Sequence, residues 1–159
     1  MHIYDEEEEL MARLEAYVLE GSHLGQITVV IATPEHRQML RERLEVFQLH
    51  DSFLGLDAQF TLDRFMREGM PDPRLFDLAV GTLVRSRAAN GLRAYGEMVA
   101  LLWKAGNVEG TLALERLWND LQSTVEFSLL CGYAGADFAD RQGLAGICEA
   151  HSHVVPMAA

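Results

Sequence analysis

Apolar positions along the chain alternate between helix-like and strand-like segments. Residues 5–20 place apolar side chains at helical spacing after Asp5, which can cap a helix. Residues 27–32 form a continuous, mostly β-branched run without polar alternation, which is typical of a strand covered on both faces in a parallel sheet. Thr33 and Pro34 then provide a helix cap and a proline at the first helical position, and they predict a helix to about residue 47.

The rest of the chain continues this alternation. The predicted elements are a weak strand at 53–57, a short helix at 61–67, a helix at 73–90, a strand at 92–96, helices at 98–104 and 108–122, a strand at 127–133 and a short helix at 143–150. Strands separated by helices of this length require right-handed crossovers. We therefore predict one α/β domain over residues 1–159, with a mostly parallel sheet of four or more strands and helices on both faces.

Composition and charge fit one globular domain and argue against nucleic acid as a direct partner. The chain has 159 residues, of which 49% are hydrophobic, and a net charge of −11 from 13 basic and 24 acidic residues. Such a surface repels phosphate groups, so we expect neither nucleic acid nor an anionic membrane to bind directly. Much of the negative charge lies at residues 5–9, which we interpret as a solvated first helical turn, the alternative being a binding tail.

Cysteine usage and the apolar runs indicate a cytoplasmic protein. Cys131 and Cys148 lie in apolar sequence and are too few for a disulfide framework, and no signal peptide pattern opens the chain. The longest apolar runs are far shorter than the roughly 20 residues that cross a bilayer. We therefore expect no membrane-spanning helix and a reducing environment.

Candidate ligand-binding residues follow the ends of the predicted strands. In an open parallel sheet, ligands bind in the crevice beyond the carboxyl ends of the strands. The residues at or next to those ends are Thr33, Glu35, His36, Asp57, Glu97, Met98 and Tyr133. We predict that these side chains form a ligand-binding site at one edge of the sheet.

Glu97 is the most informative of these residues. It stands between a predicted strand and the apolar run that begins at Met98, so its carboxylate should be partly buried and should need a partner. It could anchor a ligand or act as a switch, or it could simply cap a helix and pair with an arginine such as Arg93. Other candidate residues also have a purely structural alternative: His36 could be merely exposed, and Thr33 could serve only as a cap.

Two further patterns have a structural interpretation beside the functional one. Met98, Trp103 and Trp118 could line an apolar pocket, but aromatic residues at helical spacing are more often core. His151 and His153, with Cys148, resemble part of a zinc site, yet an exposed tail explains them better and further ligands are missing. We therefore assign no metal and no cofactor.

No catalytic constellation is recognisable, and nucleotide hydrolysis is not expected. A phosphate-binding loop needs glycines after a strand and a lysine that reaches the terminal phosphates. The turn after the first predicted strand, at residues 32–37, contains neither, and Lys104 is the only lysine in the chain. We assign no catalytic residue and predict that the protein is not an enzyme.

Several blocks of sequence together resemble a known family. The blocks are residues 29–37 (VVIATPEHR), Arg64-Phe65-Met66 with Gly69-Met70-Pro71-Asp72, residues 95–103 (YGEMVALLW), Leu114-Glu115 with Leu117-Trp118-Asn119, and residues 127–133 (FSLLCGY). They cover most of the chain and resemble the MEDS domain, the DcmR-type sensory domain of bacterial and archaeal signalling proteins. The resemblance implies a RecA- and KaiC-like fold that has lost its phosphate loop.

The resemblance also implies a function. Such domains resemble input modules joined to histidine kinases, anti-sigma-type kinases or DNA-binding regulators, and they are proposed to sense small molecules, including hydrocarbon-like ones. Two departures stand out: the segment between Arg43 and Asp57 is shorter than the family pattern, and no output domain follows in this sequence. The chain would then act through a separate partner, or be one piece of a longer protein.

Three hypotheses follow. The first is a non-catalytic sensory module that binds a small, conceivably apolar, ligand at the carboxyl edge of the sheet and regulates a signalling partner such as a histidine kinase or a transcription regulator. The second is a ligand-free interaction module that works as a scaffold or partner switch. The third is a residual nucleotide- or metal-dependent enzyme, for which we expect no support. A homo-oligomer remains open in each case.

Overall fold

A computed structural model describes residues 1–49, 52–138 and 147. In chain order the elements are β1 (His2–Tyr4), α1 (Glu7–His23), β2 (Ile27–Ala32), α2 (Pro34–Glu45), β3 (Phe53–Asp57), α3 (Ala58–Asp63), β4 (Met66–Arg67), β5 (Met70–Pro71), α4 (Pro73–Phe76), α5 (Thr82–Arg87), β6 (Leu92–Gly96), α6 (Met98–Lys104), α7 (Val108–Thr124) and β7 (Ser128–Ala134). A π-helical segment, Asp77–Gly81, joins α4 to α5, and single 3₁₀ turns follow α5 and β7.

The predicted α/β fold is confirmed. Five strands form one parallel sheet in the order β1-β7-β6-β2-β3, and β4 with β5 forms a small antiparallel hairpin. In the main sheet, Val30 of β2 lies opposite Gly55 of β3 on one side and Tyr95 of β6 on the other. β2 therefore has a neighbour on each side, as β6 has between β2 and β7, and burial on both faces explains the almost continuous apolar sequence of β2.

Helices cover both faces of the sheet and enclose two apolar clusters. The first face is covered by α1 and α2, whose core residues are Leu10, Met11, Leu14, Tyr17, Val18, Leu40 and Leu44. The second face is covered by the helices from α3 to α7, which supply the larger cluster. Trp118 of α7 is buried in that cluster, edge-on to Phe76 at 5.3 Å between ring centroids, so its interpretation as a core residue is confirmed.

The first part of the chain departs from the prediction. β1 was missed, because its three residues are too few to show a hydrophobic pattern. Asp5 is not the cap of α1, which begins at Glu7 after Glu6. The helix also continues through Gly21 to His23. The missing side chain of Gly21 lets α1 pack closely against β2, since an added Cβ would lie 2.8 Å from the hydroxyl oxygen of Thr28.

The prediction of a helix at residues 61–67 was also wrong in its bounds. The carboxylate of Asp57 accepts a hydrogen bond from the amide of Phe60, so α3 begins directly after β3 and ends at Asp63. The following residues turn back in the β4–β5 hairpin, with Gly69 in the left-handed region at φ 81°.

Two further predictions concern the C-terminal part of the sequence and membrane-spanning helices. The predicted helix at 143–150 and the pattern of Cys148, His151 and His153 lie outside the described residues, apart from Ile147, which is buried in the larger cluster. Within the described residues, no helix combines the length and the hydropathy that crossing a bilayer requires.

Candidate functional site

The candidate site lies where two neighbouring strands send the chain to opposite faces of the sheet. β2 leads into α2 on the first face, whereas β6 leads into α6 on the second. β2 and β6 are adjacent, so their carboxyl ends form a topological switch point, and in open α/β sheets the ligand-binding crevice is expected at such a point. Thr33, His36 and Glu97 meet there.

Glu97 is buried and accepts hydrogen bonds from several segments. Its side chain is 5% exposed. Oε2 accepts the backbone amide of Thr33 at 2.9 Å, while Oε1 accepts the hydroxyl of Tyr95 at 2.9 Å and lies 2.6 Å from Nδ1 of His36. The prediction of a partly buried carboxylate that needs partners agrees with this geometry.

The alternative interpretation of Glu97 is not supported. The residue occupies the cap position of α6, but its side chain makes no capping hydrogen bond. Arg93 does not reach it, because its guanidinium bonds to Glu20 and Gln26 and lies over the ring of Tyr17. Arg93 is four residues before Glu97, about 13 Å back along the extended chain toward the other end of β6.

His36 connects Glu97 to the first helix of the chain. Its ring is 13% exposed, so it is not merely a surface residue. Nδ1 faces Glu97, and Nε2 lies 3.0 Å from Oε1 of Glu7 in the first turn of α1. The hydrogen bond with Glu97 raises the pKa of His36 above its ordinary value, although burial acts in the opposite direction. An imidazolium donating to two carboxylates is the protonated form of this arrangement.

Thr33 has its predicted role as a helix cap, and it also contacts Glu97. Its hydroxyl accepts the amide of His36 at 3.3 Å and so caps α2, while its own amide binds Glu97. Proline at the next position has no amide to satisfy, which suits the first turn of a helix. The cap therefore also fixes the position of His36 relative to Glu97.

Sequence reasoning missed four contributors to this site. Tyr4 ends the strand that was too short to recognise, and Glu7 belongs to the acidic run that was interpreted as solvated. Burial, followed by the charge of Glu97, raises the pKa of Tyr4 to about 12. Tyr95 was predicted only as part of a strand. Gly132 gives it room, since an added Cβ would lie 2.5 Å from the Tyr95 hydroxyl. None of these has a local signal, because their roles depend on neighbouring strands.

The other predicted residues lie apart from this cluster. Asp57 pairs with Arg37 at 3.0 Å beyond the end of β3, next to the site, and Glu35 is exposed in the first turn of α2. Met98 and Tyr133 are fully buried in the cluster on the second face, so they do not line the crevice with Glu97. In β7, Tyr133 points to the face opposite to Leu130, which packs on the first face.

Tyr133 instead forms part of a second buried polar pair. Its hydroxyl donates to Oε1 of Glu115 in α7 at 2.6 Å, and Glu115 is 1% exposed. Burial raises the pKa of Glu115 to about 7, with the hydrogen bond from Tyr133 acting against that rise. Burial also raises the pKa of the neighbouring Cys131 thiol, which therefore has little thiolate character.

Other chemistry is limited in the part of the chain that the structure describes. No group of three or more histidine, cysteine, aspartate or glutamate side chains there could hold a metal ion. Two surface clefts, of about 300 and 400 Å³, lie between the π-helical segment and α7 and at the amino ends of β6 and β7. Neither includes Thr33, His36 or Glu97, so the candidate site is defined by the hydrogen bonds among its polar groups.

Comparison with known families decides the assignment. The profile described as "MEDS: MEthanogen/methylotroph, DcmR Sensory domain" matches residues 1–152. The chain belongs to the MEDS family. The resemblance seen in the sequence is thus confirmed, and the description gives this MEDS domain a sensory role. No curated protein and no solved structure matches the chain.

We predict that His36 stabilises the MEDS domain more at low pH than at high pH. Because its pKa is raised in the folded state, its contribution is complete below about pH 6.5 and is lost as the pH rises through the raised value. His36→Gln should lower the free energy of unfolding by about 2 kcal/mol at about pH 6 and by clearly less at about pH 9, as measured by urea unfolding. His23→Gln, at an exposed position in α1, is the control, and an equal cost of His36→Gln at both pH values would contradict the prediction.

We predict that the contribution of Glu115 to stability also falls as the pH rises, but over a lower pH range that begins near its ordinary pKa of 4.5. In the folded state it keeps its proton to about pH 7, whereas in the unfolded state it ionises near its ordinary value of 4.5. The stability of the wild type relative to Glu115→Gln should therefore fall by roughly 3 kcal/mol between about pH 4.5 and about pH 8. Denaturant unfolding of both proteins measures this gap. Glu109→Gln, at an exposed position of α7, should show no such trend.

Proposed function

We propose that this MEDS domain is a non-catalytic sensor that binds a small ligand at the carboxyl edge of the sheet and regulates a signalling partner. The observation that supports the proposal is the buried carboxylate of Glu97, which is held by donors from β6, from the β2–α2 turn and from α2. A buried charge is costly to maintain, and a hydrophobic core would be at least as stable without it. Function is the reason to retain it.

The charges around Glu97 select the chemistry of the ligand. Glu97 and Glu7 are both within hydrogen-bonding distance of His36, and no lysine or arginine lies within 4.0 Å of Glu97 in the described chain. A second anion would be repelled there, while a neutral or cationic molecule with a hydrogen-bond donor could replace one of the present donors. We propose a small molecule of that kind, with an apolar remainder.

His36 is the proposed connection between ligand and partner. It touches Glu97 after β6 and Glu7 in α1, and it belongs to α2. A ligand that takes the place of the ring at Glu97 would release the contact between α1 and α2 at this edge. The two helices form one outer layer of the domain, so a histidine kinase or a regulator that binds this layer would detect the change.

The residues at the strand ends support a non-catalytic role. The first strand-to-helix turn of the chain follows β1, not β2, and it consists of Asp5 and Glu6. It lacks glycine and lysine, as the turn after β2 does, and its carboxylates would repel a triphosphate. We therefore propose that neither turn binds ATP.

The proposal predicts ligand-dependent stability that depends on Glu97. In a thermal-shift screen of small alcohols and amines with apolar substituents, at least one compound should raise the melting temperature of the wild type. Glu97→Gln keeps the shape of the side chain but loses its charge, so it should weaken binding of that compound by about tenfold or more, measured by calorimetry.

Glu115→Gln is the matched control, because it makes the same substitution at a buried glutamate that also accepts a tyrosine hydroxyl but lies on the other face of the sheet. Binding should be unchanged in this variant. Equal weakening by both variants, or binding that survives in Glu97→Gln, would overturn the proposed site. A partner captured equally well by the wild type and by Glu97→Gln, with no stabilising compound found, would favour the ligand-free interaction module.

A further inference from the structure

The outer edge of β3 carries no strand partner among the described residues. β3 is the last strand of the sheet and pairs only with β2. No described loop or side chain hydrogen-bonds to the backbone of residues 53–57 on the other side. Exposed edge strands are usually protected by lysine, proline or a bulge, but the sequence Phe-Leu-Gly-Leu-Asp has none of these.

We propose that a second copy of this chain pairs with β3, so that two sheets join into one across a two-fold axis. A two-fold axis perpendicular to the sheet makes the two β3 strands antiparallel and brings each face against the same face of its copy. The strand is self-complementary about its central residue, Gly55. This interface is separate from the ligand site proposed above and does not depend on it.

Apolar side chains match on the second face of the sheet. With Gly55 on the axis, Leu54 lies opposite Leu56 of the second copy, and the reverse pair is identical. In the single chain both leucines are only partly buried, and they lie beside Val29 and Ile31 of β2. Pairing would continue that apolar surface across the axis and cover the leucines further.

On the first face of the sheet, the same pairing would bring opposite charges together. The same register places Phe53 opposite Asp57 of the second copy. The guanidinium of Arg41 lies over the ring of Phe53, 5.6 Å from its centroid, and has no carboxylate within 4.0 Å in the described part of the chain. Arg41 is thus positioned to pair with Asp57 of the second copy, which within its own chain pairs with Arg37.

The elements that flank β3 expose further apolar surface. Three of the large apolar side chains that the described residues leave exposed are Val46 and Phe47, directly after α2, and Phe60 in α3. Their exposed fractions are 81%, 48% and 68%. A five-residue strand alone would bury too little area for a stable dimer, so these side chains supply the additional contact that the proposal needs.

The first test is the oligomeric state in solution. The full chain, studied by sedimentation equilibrium between about 10 µM and about 1 mM, should show a monomer–dimer equilibrium. Arg41→Glu replaces attraction by repulsion at both symmetry-related pairs, and it should weaken the dimer by about tenfold or more. Arg116→Glu, at an exposed position of α7, changes the net charge equally and should leave the dimer intact.

The second test fixes the register. In an antiparallel pair, residues opposite each other have Cα atoms about 4.5–5.5 Å apart, which a disulfide can span. Gly55→Cys should therefore form a covalent dimer under mild oxidation, with the 55–55 link identified by peptide mass spectrometry. Arg116→Cys is the control for random cross-linking.

Three results would overturn the proposal. They are a monomer throughout the concentration range, a dimer that Arg41→Glu and Arg116→Glu weaken equally, and a dimer in which Gly55→Cys forms its disulfide no faster than Arg116→Cys. If Arg41→Glu fails to fold, as judged by circular dichroism, the cross-linking result alone decides.

Discussion

The carboxyl edge of this domain is organised by the burial of one negative charge, that of Glu97. An ionised carboxylate removed from water must find hydrogen-bond donors, and here they come from the amide of Thr33, the ring of His36 and the hydroxyl of Tyr95. These donors belong to two neighbouring strands and to the helix that follows one of them. Satisfying the carboxylate therefore fixes how β2, α2 and β6 meet, and His36 extends the same network to α1 through Glu7.

Glu97 and Glu115, both buried, show how surroundings decide chemical character. Glu97 has several donors and a histidine that responds to it by a raised pKa. Glu115 lies in the apolar layer between α7 and the sheet, where burial outweighs the hydrogen bond from Tyr133 and holds its pKa at about 7. The first arrangement is suited to exchanging donors at a surface crevice, whereas the second belongs to the packing of the core.

The outer edge of β3 also has polar groups that need partners, in this case those of the backbone. Its outward amides and carbonyls have no strand partner among the described residues, where Arg41 lies over Phe53 and has no carboxylate within 4.0 Å. The exposed Val46, Phe47 and Phe60 belong to the segments before and after this strand. Glu97 and β3 are linked by α2, which contributes His36 to the first and Arg41 to the second. A change at the ligand site and a change at the edge would thus both act on the same helix.

The amino-acid sequence by itself determined the α/β class, the positions of β2, β3, β6 and most helices, and the burial of Glu97. These follow from local chemistry: β-branched runs, the caps at Thr33 and Asp72 with the prolines after them, and a carboxylate beside buried residues. Tertiary structure alone decided which side chains meet. β1 is formed by pairing with β7, Tyr4 and Glu7 come close to Glu97 through that pairing, and Tyr133 faces the core because neighbouring strand residues alternate in direction. Such contacts depend on strand order and register, and no short stretch of sequence encodes the order in which distant strands lie side by side.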